Sequence, residues 1–359
     1  MQQPNIRVAQ IVIPCRDLAA NLRFFTERLG FRVNMIVPAD APAIAVIGGH
    51  GTILRLEADP EAAPSTLTLR LLCDLSSLPA ETPRQLTAPN GMAVELVEAQ
   101  PAMVVPEGIQ EFVLSRNNDA KAWGTGRAGM QYRDLIPSRL GGRFIASHIR
   151  IPEGGPVPDY VHFHKVRFQM IFCKTGWAKL VYEDQGEPFL LEAGDCVLQP
   201  PEIRHRVLES SAGLEVIEIG CPAVHETFAD HNMALPTGRL LPERDFGGQR
   251  FVRHIAAKAR WVPWCLAGFE ARDIGIAAAT GKLAGVRVVR PLAGAKRVVG
   301  QHGGEFMFLF VLKGSLDLDL DGEGAHRLNE GDSCVLPQGA RYALTAAADL
   351  EFLDVTLPG

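Results

Sequence analysis

Residues 160–176, YVHFHKVRFQMIFCKTG, and residues 194–207, GDCVLQPPEIRHRV, decide the fold of this chain. The first stretch has two histidines separated by one residue, with a glutamine five positions after the second of them, and the second stretch adds another histidine. Residues at i and i+2 on a β-strand point to the same side of a sheet, so the paired histidines can share one ion. The spacing predicts a metal site whose ligands are His162, His164, Gln169 and His205.

The same pattern recurs about 138 residues downstream, in residues 299–314 and 331–344. Similarity outside the motif repeats as well, at an offset that falls from 139 to 136 along the repeat. Self-similarity of this kind indicates duplicated domains. We predict one copy at 110–222 and the other at 249–359, with 223–248 as a linker. Short alternating strands between Gly, Pro and Asp turns predict that both copies are all-β.

The second copy lacks most of the candidate ligands. Its corresponding positions read Gly300, His302, Met307 and Tyr342. Glycine offers no ligand, and a thioether is a poor ligand for a hard or borderline ion. We therefore expect no metal in the second copy. Tyr342 should pack into the vacated space of an apolar, filled barrel with a structural or dimer-forming role.

Composition restricts the class of protein. The length of 359 residues suggests two or three domains, and a net charge of -5 without a Lys/Arg-rich run gives no reason to expect a nucleic acid or a membrane surface as partner. Seven cysteines without a CxxC pair do not suggest a disulfide framework. With no apparent signal segment or membrane span, we expect a cytoplasmic protein that binds small molecules.

Residues 1–105 differ from the two copies. A strand, a helix capped by Asp17 and ended by Gly30, and three further strands predict a βαβββ module, and a shorter version of it follows from Leu67. The predicted fold class is therefore mainly β with a small α+β domain. That domain pairs a complete βαβββ module with a truncated one.

The two copies resemble the cupin superfamily, whose motifs can be written G-x5-HxH-x3/4-E-x6-G and G-x5-PxG-x2-H-x3-N. The HxH pair, its spacer and the Gly176, Gly194, Pro200 and His205 positions match, whereas Gln169 replaces the usual glutamate and Glu202 the usual glycine. This resemblance implies two double-stranded β-helix, or jelly-roll, barrels. It also implies one divalent transition metal in the first barrel, as in quercetin-dioxygenase-like bicupins.

The N-terminal region resembles the vicinal-oxygen-chelate fold of glyoxalases, bleomycin-resistance proteins and extradiol dioxygenases. The stretch QIVIPCRDLAANLRFFTERLGF is similar to the opening of that fold, and PNGMAVELVE to its closing strand. The metal-ligand positions of those families read Gln10, Leu67 and Glu95 in this sequence. Since leucine cannot bind a metal, the resemblance implies the fold without the catalysis.

Three imidazoles suit several metals. Fe(II) is favoured here, and Ni, Mn, Zn and Cu are alternatives. With a neutral glutamine as the fourth ligand, the ion retains its full charge and favours an anionic chelating substrate. Gln169 as a hydrogen-bonding group behind the ligands is the alternative. The sequence does not identify a catalytic residue.

Four further side chains are candidates for the substrate pocket. His148 and Arg150 share one face of the strand before the motif, Tyr160 precedes the first ligand by two positions, and Tyr182 lies on a following strand. The alternatives are an exterior solvated face for the first two and ordinary packing for the tyrosines.

The function predicted from these features is that of a metal-dependent dioxygenase acting on a small enolisable or aromatic-derived oxygenated substrate. One alternative is another cupin reaction, such as isomerisation, hydrolysis or decarboxylation. A second is a noncatalytic metabolite-binding or regulatory bicupin. A homodimer is expected by analogy with the fold.

Overall fold

The structure, a computed structural model, describes residues 5–117, 123–126 and 129–358. The chain divides into two compact units, Met1–Ala102 and Met103–Gly359. Among the described residues, no helix is long and apolar enough to cross a membrane.

The N-terminal unit contains the predicted βαβββ order followed by a shorter module. In the first module, the Asp17 carboxylate accepts a hydrogen bond from the Ala20 amide and starts the helix. The second module has only a 3-10 turn, Leu75–Ser77, where the first has a helix. The two sheets have the strand orders β1-β4-β3-β2 and β5-β7-β6, in which β1 is parallel to β4 and β5 to β7. The elements are β1 (Ile11–Cys15), α1 (Leu18–Arg23, continued by a π-helical turn at Phe24–Arg28), β2 (Arg32–Val37), β3 (Ile44–Gly49), β4 (Thr52–Ala58), β5 (Thr68–Cys73), β6 (Gln85–Thr87) and β7 (Ala93–Glu98). Their assignment to the vicinal-oxygen-chelate fold stays a prediction.

The first repeat is built almost entirely of strands. Its elements are β8 (Val113–Ser115), β9 (Trp123–Thr125), β10 (Gln131–Asp134), α2 (Arg139–Gly142), β11 (Ile145–Ile151), β12 (Gly155–Pro156), β13 (His162–His164), β14 (Phe168–Thr175), β15 (Trp177–Tyr182), β16 (Phe189–Glu192), β17 (Cys196–Leu198), β18 (His205–Ser210) and β19 (Leu214–Cys221). The segment predicted to be a linker then contributes β20 (Thr227–Ala229).

The second repeat has nearly the same series of elements. They are β21 (Val252–His254), a 3-10 turn (Ala256–Lys258), β22 (Trp261–Pro263), β23 (Phe269–Asp273), α3 (Ile276–Ala279), β24 (Gly285–Pro291), β25 (Val298–Gln301), β26 (Phe306–Lys313), β27 (Ser315–Leu320), β28 (Gly324–Asn329), β29 (Ser333–Leu336), β30 (Arg341–Ala346) and β31 (Glu351–Leu357). Strand β27 shows why such segments become strands, because its leucines are buried and its aspartates exposed in strict alternation.

Each repeat forms a barrel from one large and one small sheet. In the first barrel the orders are β21-β17-β14-β19-β11-β10-β9 and β16-β15-β18-β13-β20, and β12 pairs with β18 outside this path. In the second they are β22-β23-β24-β31-β26-β29-β8 and β25-β30-β27-β28. The prediction of two jelly-roll-type barrels in a mainly β chain is confirmed.

The two large sheets pack against each other and form a core between the barrels. At its centre the Phe144 and Phe306 rings stack with their centroids 4.1 Å apart. Glu305 of the second barrel pairs with Arg143 and Arg167 of the first at 2.5 and 2.6 Å, at one side of this core. Other buried members of the core are Met170, Phe172, Ile217, Phe308, Phe310, Leu353 and Val355.

The repeats also exchange their first strands. Strand β21 of the second repeat pairs with β17 of the first barrel, and β8 of the first repeat pairs with β29 of the second barrel. Equivalent aspartates hold both exchanged segments: Asp195 accepts a hydrogen bond from the Ala256 amide at 2.8 Å, and Asp332 accepts one from the Asn117 amide at 2.7 Å.

We expect Asp195→Ala and Asp332→Ala each to lower the free energy of unfolding by about 1–3 kcal/mol, because each removes a buried acceptor of partly buried backbone amides. Chemical denaturation followed by circular dichroism measures this change. Asp321→Ala, at an exposed turn of the second repeat, is the matched control. If the Asp195 and Asp332 variants were as stable as this control, the exchange contacts would not stabilise the fold.

Candidate metal centre

Three of the four predicted ligands converge inside the first barrel. Strands β13 and β18 lie side by side, with His162 directly opposite His205. His164, two residues along β13, points to the same side. One nitrogen from each of these rings lies within 4.8 Å of the others. All three side chains are buried.

Backbone carbonyls orient the three imidazole rings. The Nδ1 atoms of His162 and His205 lie 2.8 and 2.9 Å from the carbonyl oxygens of Tyr160 and Ile203. The Nδ1 atom of His164 lies 3.3 Å from the Glu226 carbonyl oxygen. A neutral ring that donates from Nδ1 carries its lone pair on Nε2, which is the atom each ring can then offer to an ion. Contacts of this kind commonly fix metal-binding histidines.

Gln169 completes the set from strand β14. Its amide nitrogen donates a hydrogen bond of 2.6 Å to Glu218 on β19, which fixes the orientation of the amide. Its Oε1 atom is buried without a hydrogen-bond partner among the residues that the structure describes. A buried acceptor left without a donor is costly, and a cation would satisfy it. The residues present therefore fit a divalent ion held by three nitrogens and one oxygen.

The cavity at these ligands is small and mostly apolar. Its volume is about 90 Å³, and its walls include Ile149, Ile151 and Ile171. Tyr182 lines it as well, with its ring stacked 5.5 Å from that of His205 and its hydroxyl accepting a hydrogen bond from Gln199. Burial raises the pKa of the Tyr182 hydroxyl, which therefore stays protonated at neutral pH.

The prediction that His148 and Arg150 line this cavity is wrong. Side chains alternate along β11, and Ile149 and Ile151 face the cavity, so His148 and Arg150 face the other side of the sheet. His148 contacts the Phe310 ring of the second barrel, at 5.6 Å between centroids. The Arg150 guanidinium lies over the Trp123 ring at 4.0 Å.

Tyr160 contributes through its backbone rather than through its ring. The Tyr160 side chain is 39% exposed and lies outside the residues that line the cavity. Its carbonyl oxygen is the acceptor that orients His162. The prediction that the Tyr160 side chain borders the pocket is therefore wrong, and the residue contributes its backbone carbonyl instead.

His148 belongs to a polar network behind the large sheet. Its Nε2 atom donates to Glu215 at 2.9 Å, and its Nδ1 atom accepts from Arg133 at 3.2 Å. Burial lowers the pKa of His148 despite the nearby carboxylate, so the ring is neutral at neutral pH. The hydrogen bond from His148, helped by Lys174, lowers the pKa of Glu215 from its ordinary value of 4.5 to about 2.

Two contributions to the site were missed from the sequence. Glu218 lies on the inner face of β19, on the same side as the buried Leu214 and Val216. An acidic residue on an otherwise apolar face is the signal that reveals it. The other is the segment predicted to be a linker, which pairs β20 with β13 and supplies the Glu226 carbonyl that orients His164. Nothing in its sequence pattern indicates that pairing.

The second barrel has no equivalent cluster among the described residues. A Cβ atom added to Gly300 would lie 2.6 Å from the Tyr342 ring, so the tyrosine occupies the space of the lost first histidine as expected. Leu316, Leu318, Leu320 and Leu344 are among the buried apolar residues that pack inside this barrel. The expectation of a filled, apolar barrel is wrong, however, because Met307 and Tyr342 line a cavity of about 390 Å³ in the second barrel.

Comparison with known proteins supports the fold. Residues 289–356, most of the second barrel, match the model of the family described as Cupin domain. Comparison with curated proteins gives no match at the level of sequence.

Several solved structures are similar to this chain over about 70% of its length. An oxalate decarboxylase from Lactobacillus farciminis, in complex with formate, is 14% identical, with 71% of this chain and 89% of that chain covered and a TM-score of 0.52. A mutant of salicylate 1,2-dioxygenase from Pseudoaminobacter salicylatoxidans is 15% identical, with 71% and 86% covered and a TM-score of 0.52. Protein Ylba from E. coli is 13% identical, with 72% and 94% covered and a TM-score of 0.50. The chain therefore has the bicupin fold.

We expect His205→Ala to reduce the metal content of the purified protein by more than about 100-fold at limiting metal, since even residues behind the ligands cost 10–100-fold in affinity. Inductively coupled plasma mass spectrometry measures this change. His326→Ala replaces a half-buried histidine of the second barrel, outside the histidine cluster, and should leave the metal content as it is. Equal metal in both variants would contradict the assignment of the ligands.

Because the pKa of Glu215 is lowered on folding, its contribution to stability is complete above about pH 5 and is lost as the pH falls from about 4.5 through about 2. Glu215→Gln should lower the free energy of unfolding at pH 7 by about 1–3 kcal/mol, and this difference from the wild type should shrink toward pH 2. Denaturant titrations between pH 2 and pH 7 test this. Exposed Glu187→Gln is the control, and a pH-independent difference for Glu215→Gln would contradict the linkage.

Proposed function

We propose that this protein is a metal-dependent dioxygenase whose centre lies in the first barrel. The observation that carries the proposal is the convergence of three oriented imidazoles and one amide oxygen beside a small apolar cavity. Imidazole ligands suit Fe(II) among other divalent transition metals. When bound, such an ion would provide positions for the substrate and for dioxygen and would pass electrons between them.

The charge of the ligand set favours an anionic substrate. The three histidines and Gln169 are all neutral, so the ion would retain its full charge. A substrate that chelates through two oxygens, one of them ionised, would neutralise part of that charge. Enolates and hydroxy acids belong to this class.

The walls of the cavity select for size and exclude water. Ile149, Ile171, Leu180 and Val216 leave about 90 Å³ beside the ligands, which favours a compact substrate. Apolar walls also strengthen the electrostatic interactions inside the cavity. The Tyr182 hydroxyl, held by Gln199, is a protonated group that can donate a hydrogen bond to a substrate oxygen.

The fold comparisons are compatible with this proposal. One of the similar structures is named as a salicylate 1,2-dioxygenase and another as an oxalate decarboxylase. At 14–15% identity they indicate the fold alone, so the choice between oxygenation and decarboxylation rests on assay.

A cleaving dioxygenase places both atoms of dioxygen in its products, and the substrate supplies all the electrons, so no external reductant is needed. We expect the Fe(II)-loaded protein to consume one equivalent of oxygen per substrate with at least one member of a panel of salicylates, catechols, flavonols and β-diketones. An oxygen electrode measures the consumption, and labelled dioxygen with mass spectrometry measures incorporation. His162→Ala should lower the rate by about 100-fold or more, as expected for loss of a ligand, and His326→Ala should not lower it.

Two outcomes would contradict the proposal. Release of carbon dioxide from oxalate without oxygen consumption would identify a decarboxylase. Absence of turnover with Fe, Mn, Ni, Cu or Zn in protein that retains bound metal would favour a noncatalytic binding protein.

A further inference from the structure

The larger of the two barrel cavities lies in the barrel without the histidine cluster. It measures about 390 Å³, against about 90 Å³ beside the candidate metal ligands. Pockets that bind small ligands commonly measure about 300–1,000 Å³, and the second-barrel cavity falls within that range. The second barrel therefore contains a space of the size that a small molecule occupies.

Two buried polar atoms in the wall of this cavity have no hydrogen-bond partner among the described residues. They are Nε2 of His302, whose side chain is 4% exposed, and Oδ1 of Asp354, which is 2% exposed. Each such atom destabilises the folded chain unless another molecule satisfies it. Both residues lie at the edge of a space that can admit such a molecule.

The remaining polar wall contains one cation. The Arg287 guanidinium lies 3.6 Å from Asp354 and 3.8 Å from Asp273, which are ion-pair rather than hydrogen-bond distances. It is only partly buried and borders the cavity. Its N–H groups can therefore donate hydrogen bonds to an acceptor on a ligand. The two carboxylates remain close enough to balance the positive charge of the guanidinium.

The charges of the wall exclude several ligand classes. No three metal-binding side chains of the described residues converge in this wall, and Gly300 and Met307 stand at two of the former ligand positions of the repeat. An anion would meet the carboxylates of Asp354 and Asp273, and an organic cation would meet Arg287. A neutral molecule with hydroxyl groups avoids both repulsions, because each hydroxyl both donates and accepts.

Aromatic rings supply the apolar part of the site. Trp264 and Tyr342 border the cavity. Such rings pack against carbon–hydrogen faces, while the polar groups beside them bind hydroxyls. We propose that the second barrel is a binding site for a small neutral polyhydroxylated molecule, of the class of monosaccharides and polyols. This site is separate from the metal centre and does not depend on the proposed reaction.

The test uses the full chain and titrates glycerol, xylitol, D-glucose, D-galactose and myo-inositol, each followed by calorimetry and by tryptophan fluorescence. We expect at least one of them to bind saturably, with one molecule per chain. Asp354→Asn and His302→Leu should weaken binding by about tenfold or more, the effect of losing one hydrogen bond. His205→Ala, in the other barrel, should bind equally well.

Thermal unfolding separates loss of binding from loss of folding. Replacing a buried polar group that has no partner with an apolar side chain of similar size is close to neutral or stabilising, so His302→Leu should melt at or above the wild-type temperature while losing affinity. This variant keeps the test informative if Asp354→Asn folds poorly.

Three results would overturn the proposal. The first is no binding of any probe up to about 100 mM, a concentration well above that needed to detect millimolar affinity. The second is binding of salicylate, oxalate or tetramethylammonium at this site in place of the polyols. The third is binding that is lost in His205→Ala and kept in His302→Leu, which would place the ligand in the first barrel.

Discussion

The packing of the two large sheets against each other is the constraint on which the two-barrel unit depends. Phe144 and Phe306 stack at its centre, and each large sheet is buried on its inner and its outer face. A single barrel would expose that outer face to water, at a cost of about 25 cal/mol for each Å² of apolar surface. The second barrel therefore stabilises the first by covering this face, whether or not it binds a metal.

The residues at positions 300 and 342 of the second barrel fit together sterically. Gly300 lacks the side chain that would meet Tyr342, and the tyrosine ring fills that space from the opposite strand. A histidine at position 300 with Tyr342 present would require overlapping atoms. Tyr342 therefore closes the position that corresponds to His162 of the first barrel, and it also lines the cavity of about 390 Å³.

Much of the fold and most of the candidate site follow from the sequence. The HxH spacing, the following glutamine and the distant histidine predict the centre because they fix which side chains share one face. The orientation of β11 does not follow, because the strand is buried on both faces and its pattern does not distinguish the cavity from the core between the barrels. His148 was therefore placed on the wrong side. The pairing of β20 with β13 cannot be predicted from the local sequence, because it depends on tertiary contacts.

Glu218 places a carboxylate beside Gln169 in the wall of the first-barrel cavity. Its carboxylate accepts a hydrogen bond from the Gln169 amide nitrogen, which draws electron density toward Oε1 and makes that oxygen a better donor to a cation. The equivalent position in the second barrel is Asp354, which faces Arg287 instead of an amide. An acidic residue thus stands at the same inner position of both barrels. In the first it holds the amide of Gln169, and in the second it lies in the wall of the cavity of about 390 Å³.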